Sequence, residues 1–277
     1  MNLFKRPLIV AALACFLSPF LVGSGSVAAQ DFETVMEDGG CPGCNLVLGY
    51  FREMDIVDAD FEGTIFREAD LKDSILERAN FSGSDLRRAS LEKGSYRGAN
   101  FTSAQMRGAD LEKSDLAGAI LKNADLRDAD FGESDLSGAD FSGADMRYTF
   151  LRRAILDGAN LSGVKLLKAD LERVTAQRAD FTNANMEETD FSRVNGMASI
   201  YSKAVLTFSN LSHSNFTEAD FSGARLGGAL LRGTNFSGAN LGSASGLLPE
   251  QLALACGDEK TRLPKGLEIL NCSKAGQ

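Results

Sequence analysis

The chain has 277 residues, of which 44% are apolar and 24% are charged, and its formal net charge is −9. This balance is typical of a soluble globular protein and argues against disorder, a polytopic membrane protein, and a surface drawn to nucleic acid or anionic lipid. There is one histidine, His213, and no tryptophan. Mechanisms that need two histidines, as most zinc hydrolases do, are therefore excluded.

The N-terminus has the three parts of a secretory signal peptide. Lys5 and Arg6 supply positive charge, an apolar run covers residues 8–22, and small residues occupy positions 27–29. We predict a signal peptide over residues 1–29 and a mature protein that is periplasmic or secreted, or lumenal in the thylakoid of a phototroph. The alternatives are an uncleaved anchor and, more weakly, lipid attachment at Cys15. The apolar run is too short for a stable membrane span, so we expect no membrane insertion after cleavage.

Four cysteines remain once the signal peptide is removed, namely Cys41, Cys44, Cys256 and Cys272. An even number in an oxidising compartment favours disulfides. We pair Cys41 with Cys44 and Cys256 with Cys272, because each pair is close in sequence and the two pairs lie at opposite ends of the chain. The first pair has the spacing of a redox-active dithiol, which requires a helix after the motif. Because no helical pattern follows Cys44, we expect a structural disulfide or inert thiols there.

From about residue 54 the chain is a five-residue repeat without a change of phase. Every fifth position from Ile56 to Leu241 gives a set of 38, of which 19 are Leu and 11 are Phe. The position two residues earlier is usually Ala, and the residue between them is most often Asp or Asn. A period of five matches neither an amphipathic helix nor an alternating strand. It indicates short straight segments joined by corners, four to a coil of about 20 residues, with coils stacked about 4.8 Å apart.

This pattern, seen for example in Ala69-Asp70-Leu71, resembles that of the pentapeptide-repeat proteins over residues from about 54 to 243. The resemblance implies an all-β fold, a right-handed quadrilateral β-helix. Leu or Phe would then lie at the centre of each face, and Ala two residues before it. The 38 repeats correspond to nine to ten coils.

The boundaries of the repeat divide the chain into four parts. Residues 30–53 are predicted to form an N-terminal lead-in or cap, and residues 54–245 the β-helix. Residues 246–277 lose the period and are predicted to form a C-terminal cap. Within that cap, the segment from Pro249 to Cys256 has the pattern of a short helix, with proline in its first turn and glycine after its end.

One outward register of the repeat is basic. It contains five arginines at intervals of 20, namely Arg67, Arg87, Arg107, Arg127 and Arg147. Like charges on adjacent strands repel, so this arginine ladder is a candidate anion or partner site. However, Asp85, Asp125 and Asp145 lie two residues before three of the arginines and point the same way. A self-neutralised charged face is therefore the alternative.

A second candidate surface is apolar. Four apolar residues fall on outward positions of one coil, namely Met197, Ile200, Val205 and Phe208. They predict a docking patch for a partner or for a second copy of the chain. The alternative is a bulged coil in which these residues cover one another.

The sequence contains no phosphate-binding loop, no dinucleotide fingerprint, no metal cluster and no evident nucleophile–base pair. We therefore predict an exported, non-enzymatic scaffold or protein-interaction module without a cofactor. Its partners are expected to be proteins rather than nucleic acid, and the chain to be a monomer or a weak end-to-end or face-to-face dimer. The resemblance suggests an alternative, a DNA-mimicking topoisomerase inhibitor, which needs a dense acidic face and cytoplasmic residence. A redox protein that uses Cys41 and Cys44 is a third hypothesis.

Overall fold

The computed structural model describes residue 35 and residues 37–274, so the predicted signal peptide and Cys15 lie outside the described residues. From about residue 40 to residue 245 one unit of five residues recurs. The unit that starts at Phe81 is representative. Phe81 is the large inward residue, Ser82 and Gly83 form the corner, Ser84 is the small inward residue, and Asp85 is the bridge residue.

From Gly40 to Arg225, each bridge residue pairs in parallel with the residue 20 positions later. Asn80, for example, donates its amide to the carbonyl of Ala59 at 2.8 Å, and its own carbonyl accepts from the amide of Phe61 at 2.8 Å. Every quintet contributes one bridge, so a 20-residue period has four bridge columns, which we call faces. Face 1 runs through Asp60 and Asn80, face 2 through Ile65 and Asp85, face 3 through Asp70 and Ser90, and face 4 through Ile75 and Ser95. The chain is therefore a β-helix solenoid.

The repeat begins earlier than its sequence pattern indicates. Gly40 already pairs in parallel with Asp60, and Leu46 and Phe51 are buried as large inward residues. The small inward residue before Phe51 is Gly49 rather than Ala, and a Cβ there would lie 2.0 Å from an atom of the Phe51 ring. The coil that contains these residues therefore belongs to the solenoid, although it lies within residues 30–53, which are predicted to form a lead-in or cap.

The core is a continuous apolar interior bounded by the four faces. Aromatic rings stack from coil to coil along face 1, with centroids 4.8 Å apart for Phe81 and Phe101 and 4.6 Å apart for Tyr201 and Phe221. Hydroxyl groups at small inward positions find partners on the backbone, since Ser84 Oγ donates to the carbonyl of Phe81 at 2.7 Å. Burial of stacked rings and pairing of buried hydroxyls both stabilise this interior.

The C-terminal cap contains helix α1 (Pro249–Leu252), strand β1 (Cys256–Gly257), strand β2 (Leu270–Asn271) and a 3-10 helix (Cys272–Lys274). β1 and β2 pair in parallel. No helix within residues 37–274 is long and apolar enough to span a membrane.

Helix α1 is shorter than the sequence predicts. The helix ends at Leu252, and Cys256 lies in a strand instead. The reason is that Cys256 pairs in parallel with Asn235, and its amide donates to the carbonyl of Thr234 at 2.9 Å. Pairing with the last regular coil therefore outweighs the helical pattern.

Candidate interaction surfaces

The arginine ladder lies along a single edge of the solenoid. Each of its five members is the first corner residue after a bridge residue of face 2. Because the bridge residues of face 2 pair in register from residue 65 to residue 145, the arginines that follow them stack at one corner. The structure thus brings together all five arginines that share the 20-residue interval.

Arg127 and Arg147 are each neutralised by a carboxylate of their own coil that pairs with no other ladder arginine. Arg127 donates from Nε and Nη2 to both carboxylate oxygens of Asp125, at 2.7 and 2.6 Å. Arg147 does the same with Asp145, at 2.8 and 2.7 Å. The hydrogen bond from Arg127 is the main reason that the pKa of Asp125 lies below its usual range. This half of the ladder has the arrangement of a self-neutralised face.

Of the remaining three ladder arginines, two share one carboxylate. Arg87 donates to both oxygens of Asp85 at 2.7 Å, and Nη2 of Arg67 donates to the same carboxylate at 2.8 Å. The side chain of Asp85 is only 9% exposed. The hydrogen bond from Arg87, supported by that from Arg67, holds the pKa of Asp85 well below its usual range. Asp85 is therefore ionised and pairs with both arginines.

An additional arginine that the ladder pattern does not contain completes this surface. Arg88 is the second corner residue, and its guanidinium lies 3.5 Å from the carboxylate of Glu68. Arg107 donates from Nε to Asp128 of the next coil at 2.9 Å. Arg67, Arg87, Arg88 and Arg107 line a shallow surface groove together with Glu68, Gly108 and Asp128. We call it the arginine groove.

The acidic residues at bridge positions have a structural role. Asp220 accepts a hydrogen bond from the amide of Ser222 at 3.0 Å and another from Nδ2 of Asn240 at 3.0 Å. Asn80 accepts in the same way from the amide of Ser82 at 3.2 Å. Asp and Asn are favoured at turns because their side chains can accept from the backbone two residues later. Such aspartates occur on every face, for example Asp140 on face 1, Asp145 on face 2, Asp130 on face 3 and Asp135 on face 4.

The predicted apolar patch is divided between two faces. Ile200 is a bridge residue of face 1 and Val205 is a bridge residue of face 2. Met197 lies at the corner before face 1, and Phe208 lies at the corner after face 2. Phe208 is 67% exposed, and its ring covers Gly228 of the next coil, where a Cβ would lie 2.6 Å from a ring atom. The coil is not bulged, since its bridges keep their register.

A second cluster of arginines, which the predicted ladder does not include, lies at the corner after face 3. Glu172 is 9% exposed and accepts a hydrogen bond from Arg193 at 2.6 Å and one from Arg152. The hydrogen bond from Arg152 is the main reason that the pKa of Glu172 is lowered. The 20-residue interval between Arg153, Arg173 and Arg193 was a signal for this cluster. Because Glu172 already fills its centre, we assign the cluster a structural role.

Both cysteine pairs are joined in the structure. Cys41 and Cys44 are the large and small inward residues on either side of one corner, with Cα atoms 5.5 Å apart. Cys256 of β1 is joined to Cys272 of the 3-10 helix, with Cα atoms 4.8 Å apart. His213 is exposed at a corner. Among residue 35 and residues 37–274, no three His, Cys, Asp or Glu side chains are grouped as a metal site.

Comparison with known proteins relates the chain to one repeat family. The family model described as pentapeptide repeats matches in eight copies, over residues 51–93, 97–132, 134–173, 154–193 and 202–238. These segments cover more than half of the chain. None of the curated proteins matches it.

Several solved structures are also similar. HetL, a pentapeptide repeat protein involved in heterocyst differentiation regulation in the cyanobacterium Nostoc sp. strain PCC 7120, is 25% identical over 84% of this chain and 96% of its own, with a TM-score of 0.46. QnrB1, a plasmid-mediated fluoroquinolone resistance protein, is 16% identical over 77% and 92%, with a TM-score of 0.41. A pentapeptide repeat protein from the thylakoid lumen of Arabidopsis thaliana is 32% identical over 42% and 63%, with a TM-score of 0.18. All three TM-scores are below 0.5, so the relationship rests on the sequence match.

Proposed function

The chain belongs to the pentapeptide-repeat family, and from that premise we propose that it is an exported, non-enzymatic scaffold or protein-interaction module. The proposal includes cleavage after residue 29 and a right-handed β-helix, with nine to ten coils in residues 54–245. The mature protein acts in the periplasm, outside the cell, or in the thylakoid lumen of a phototroph. Its partners are proteins.

One observation carries the proposal. Parallel bridges keep the same 20-residue register from Gly40 to Ser245. Outward side chains of successive coils are therefore held in columns, at the spacing of neighbouring strands, around a continuous core of buried apolar side chains. Stacked repeats of this kind provide extended rigid surfaces, which suit the binding of other proteins better than the closure of an active site.

The distribution of charge supports this role over that of a DNA mimic. A mimic requires a dense acidic face, whereas the acidic bridge residues are spread over four faces and accept hydrogen bonds from the turns. Arginines and lysines line the corners beside them and pair with many of them, as Arg127 does with Asp125 and Lys122 with Asp140. Ion pairs of this kind recur from Arg52 to Arg193, so cations interrupt the negative charge of that part of the solenoid.

The proposal is tested in the organism that makes the protein, with the full chain tagged at its C-terminus. We expect the mature protein, beginning at Gln30, in the exported fraction, and a protein partner that crosslinks to it there. A variant in which all five ladder arginines are replaced by Gln should lose that partner. Because Asp85, Asp125 and Asp145 also lose their cations, the variant is less stable, and the partner is sought at a temperature where circular dichroism shows that the variant is still folded.

Two outcomes would contradict the proposal. Recovery of the chain only from the cytoplasm, together with inhibition of a topoisomerase by the purified protein, would establish the DNA mimic instead. Absence of any crosslinked partner in the exported fraction would remove the interaction role.

A further inference from the structure

The arginine groove carries more positive charge than its own carboxylates neutralise. Its four guanidinium groups pair with three carboxylates, those of Asp85, Glu68 and Asp128. Asp85 is the only one of the three that is buried, and it is shared by Arg67 and Arg87. The groove therefore keeps one positive charge without a partner of its own, in a protein whose net charge is −9.

Two of the arginines are accessible to an incoming anion. The side chain of Arg88 is 76% exposed and that of Arg107 is 56% exposed. Arg88 lies 3.5 Å from Glu68, and Arg107 donates to Asp128 through a single nitrogen. Exposed pairs of this kind contribute about 0–1 kcal/mol. A carboxylate from outside can therefore replace Glu68 or Asp128 with little loss of stability.

The difference from the rest of the ladder comes from two bridge residues. The residue two positions before Arg67 is Ile65, and the residue two positions before Arg107 is Gln105. Two residues before Arg127 and Arg147 the chain has Asp125 and Asp145. Each aspartate accepts hydrogen bonds from both Nε and Nη2 of its arginine. Arg67 and Arg107 have no acid of this kind in their own coil, and Arg87 shares its in-coil acid, Asp85, with Arg67. Beyond Arg107 each ladder arginine pairs with a different in-coil aspartate, and the groove ends there.

We propose that the arginine groove binds an extended acidic segment of a partner protein, which presents carboxylates at alternate positions. Coils are about 4.8 Å apart, so the span from Arg67 to Arg107 is about 10 Å along the solenoid. Alternate side chains of an extended peptide are about 7 Å apart on one side. Two carboxylates of such a segment fit between the outer arginines of the groove. This inference rests on the proposed function, because it names the chemistry of the partner.

The surroundings of the groove favour a peptide over nucleic acid. Asp70 and Asp110 lie on face 3, directly beyond the arginine corner, and Asp128 borders the groove at one end. A nucleic acid carries a phosphate on every nucleotide and needs a longer basic track. A peptide with two or three carboxylates can end before it reaches these acids.

The test uses the full mature chain and a fluorescein-labelled peptide of eight residues in which Glu and Ser alternate, followed by fluorescence anisotropy. We expect binding that weakens as salt rises, and a dissociation constant about fivefold higher for the Arg88→Gln, Arg107→Gln double variant. The matched control is the Arg78→Gln, Arg97→Gln double variant. It changes the net charge equally but removes arginines that pair with Asp58 and Asp115 at a different corner. We expect its affinity to match that of the unaltered chain.

Three results would overturn the inference. They are equal weakening by both double variants, equal binding of a peptide in which Gln replaces Glu, and tighter binding of a single-stranded oligonucleotide than of the acidic peptide. The crosslinked partner of the exported fraction separates this inference from the proposed function. If that partner is still captured by the Arg88→Gln, Arg107→Gln variant, the groove is not its binding site, while the interaction role stands.

Discussion

At the scale of single residues, Gly196 leaves a space in the core that neighbouring aromatic rings fill. Gly196 occupies a position that is Leu or Phe in most quintets, and a Cβ there would lie 2.8 Å from the Phe216 ring and 2.9 Å from Tyr201 Oη. Tyr201 and Phe216 meet edge to face, with centroids 5.5 Å apart. The space left by the missing side chain is thus filled by the ring of Phe216, on the same face in the next coil, and by that of Tyr201 on the neighbouring face.

We therefore expect Gly196→Ala to destabilise the protein by about 1–3 kcal/mol, because added volume in a close-packed core forces the rings to shift. The control is Gly227→Ala, where the nearest atom to the new Cβ would be 3.9 Å away. Urea denaturation followed by near-ultraviolet circular dichroism measures both free energies of unfolding. If the two variants are equally stable, the rings do not occupy the space beside Gly196.

At the scale of the repeated element, the bridge residue stabilises the corner that follows it. The carboxylate of Asp220 accepts from the amide of Ser222, and Asn240 on the next coil donates to the same oxygen. Asn retains an oxygen that accepts both bonds, which explains why both Asp and Asn occur in this column. Part of the negative charge of the sequence therefore comes from aspartates whose side chains stabilise the corners.

This account predicts different results for two substitutions of Asp220. Asp220→Ala should lower the free energy of unfolding by about 1 kcal/mol, since one or two net hydrogen bonds are lost. Asp220→Asn should stay within a few tenths of the original value, because its oxygen still accepts from Ser222. Thermal unfolding at neutral pH provides the comparison. An equal loss for Asn and for Ala would show that the charge, and not the acceptor, is what matters.

At the scale of the whole molecule, the two disulfides stabilise opposite ends to different degrees. Cys256–Cys272 closes a segment with a sequence separation of 16 and holds the 3-10 helix against β1. Cys41–Cys44 has a sequence separation of 3 and closes a single corner. Since a disulfide restricts the unfolded chain more when its loop is longer, the C-terminal bond should contribute more to stability.

We expect replacement of Cys256 and Cys272 by Ser to lower the free energy of unfolding by about 3 kcal/mol. The matched control replaces Cys41 and Cys44 by Ser, and its loss should be smaller. Hydrogen exchange of the mature protein should show faster exchange in β1 for the first variant and at the first coil for the second. A greater loss from the Cys41–Cys44 replacement would contradict the chain-entropy argument.

Much of the molecule followed from the sequence alone. The period of five, the inward positions and the repeat family could be read directly, because each quintet decides locally which side chains point inward and which outward. Stacking at 20 residues then places Arg67 and Arg147 on one corner, as predicted. Both disulfides also join the cysteines paired by their closeness in the chain.

Other features were decided only by the tertiary structure. These are the extension of the solenoid back to Gly40, the end of α1 at Leu252, the separation of Ile200 from Val205, and the sharing of Asp85 by two arginines. Each depends on contacts between coils, where the reach of a side chain and pairing with the neighbouring strand determine which groups meet. The sequence pattern specifies the column in which a residue lies, but packing between coils determines which residue it contacts.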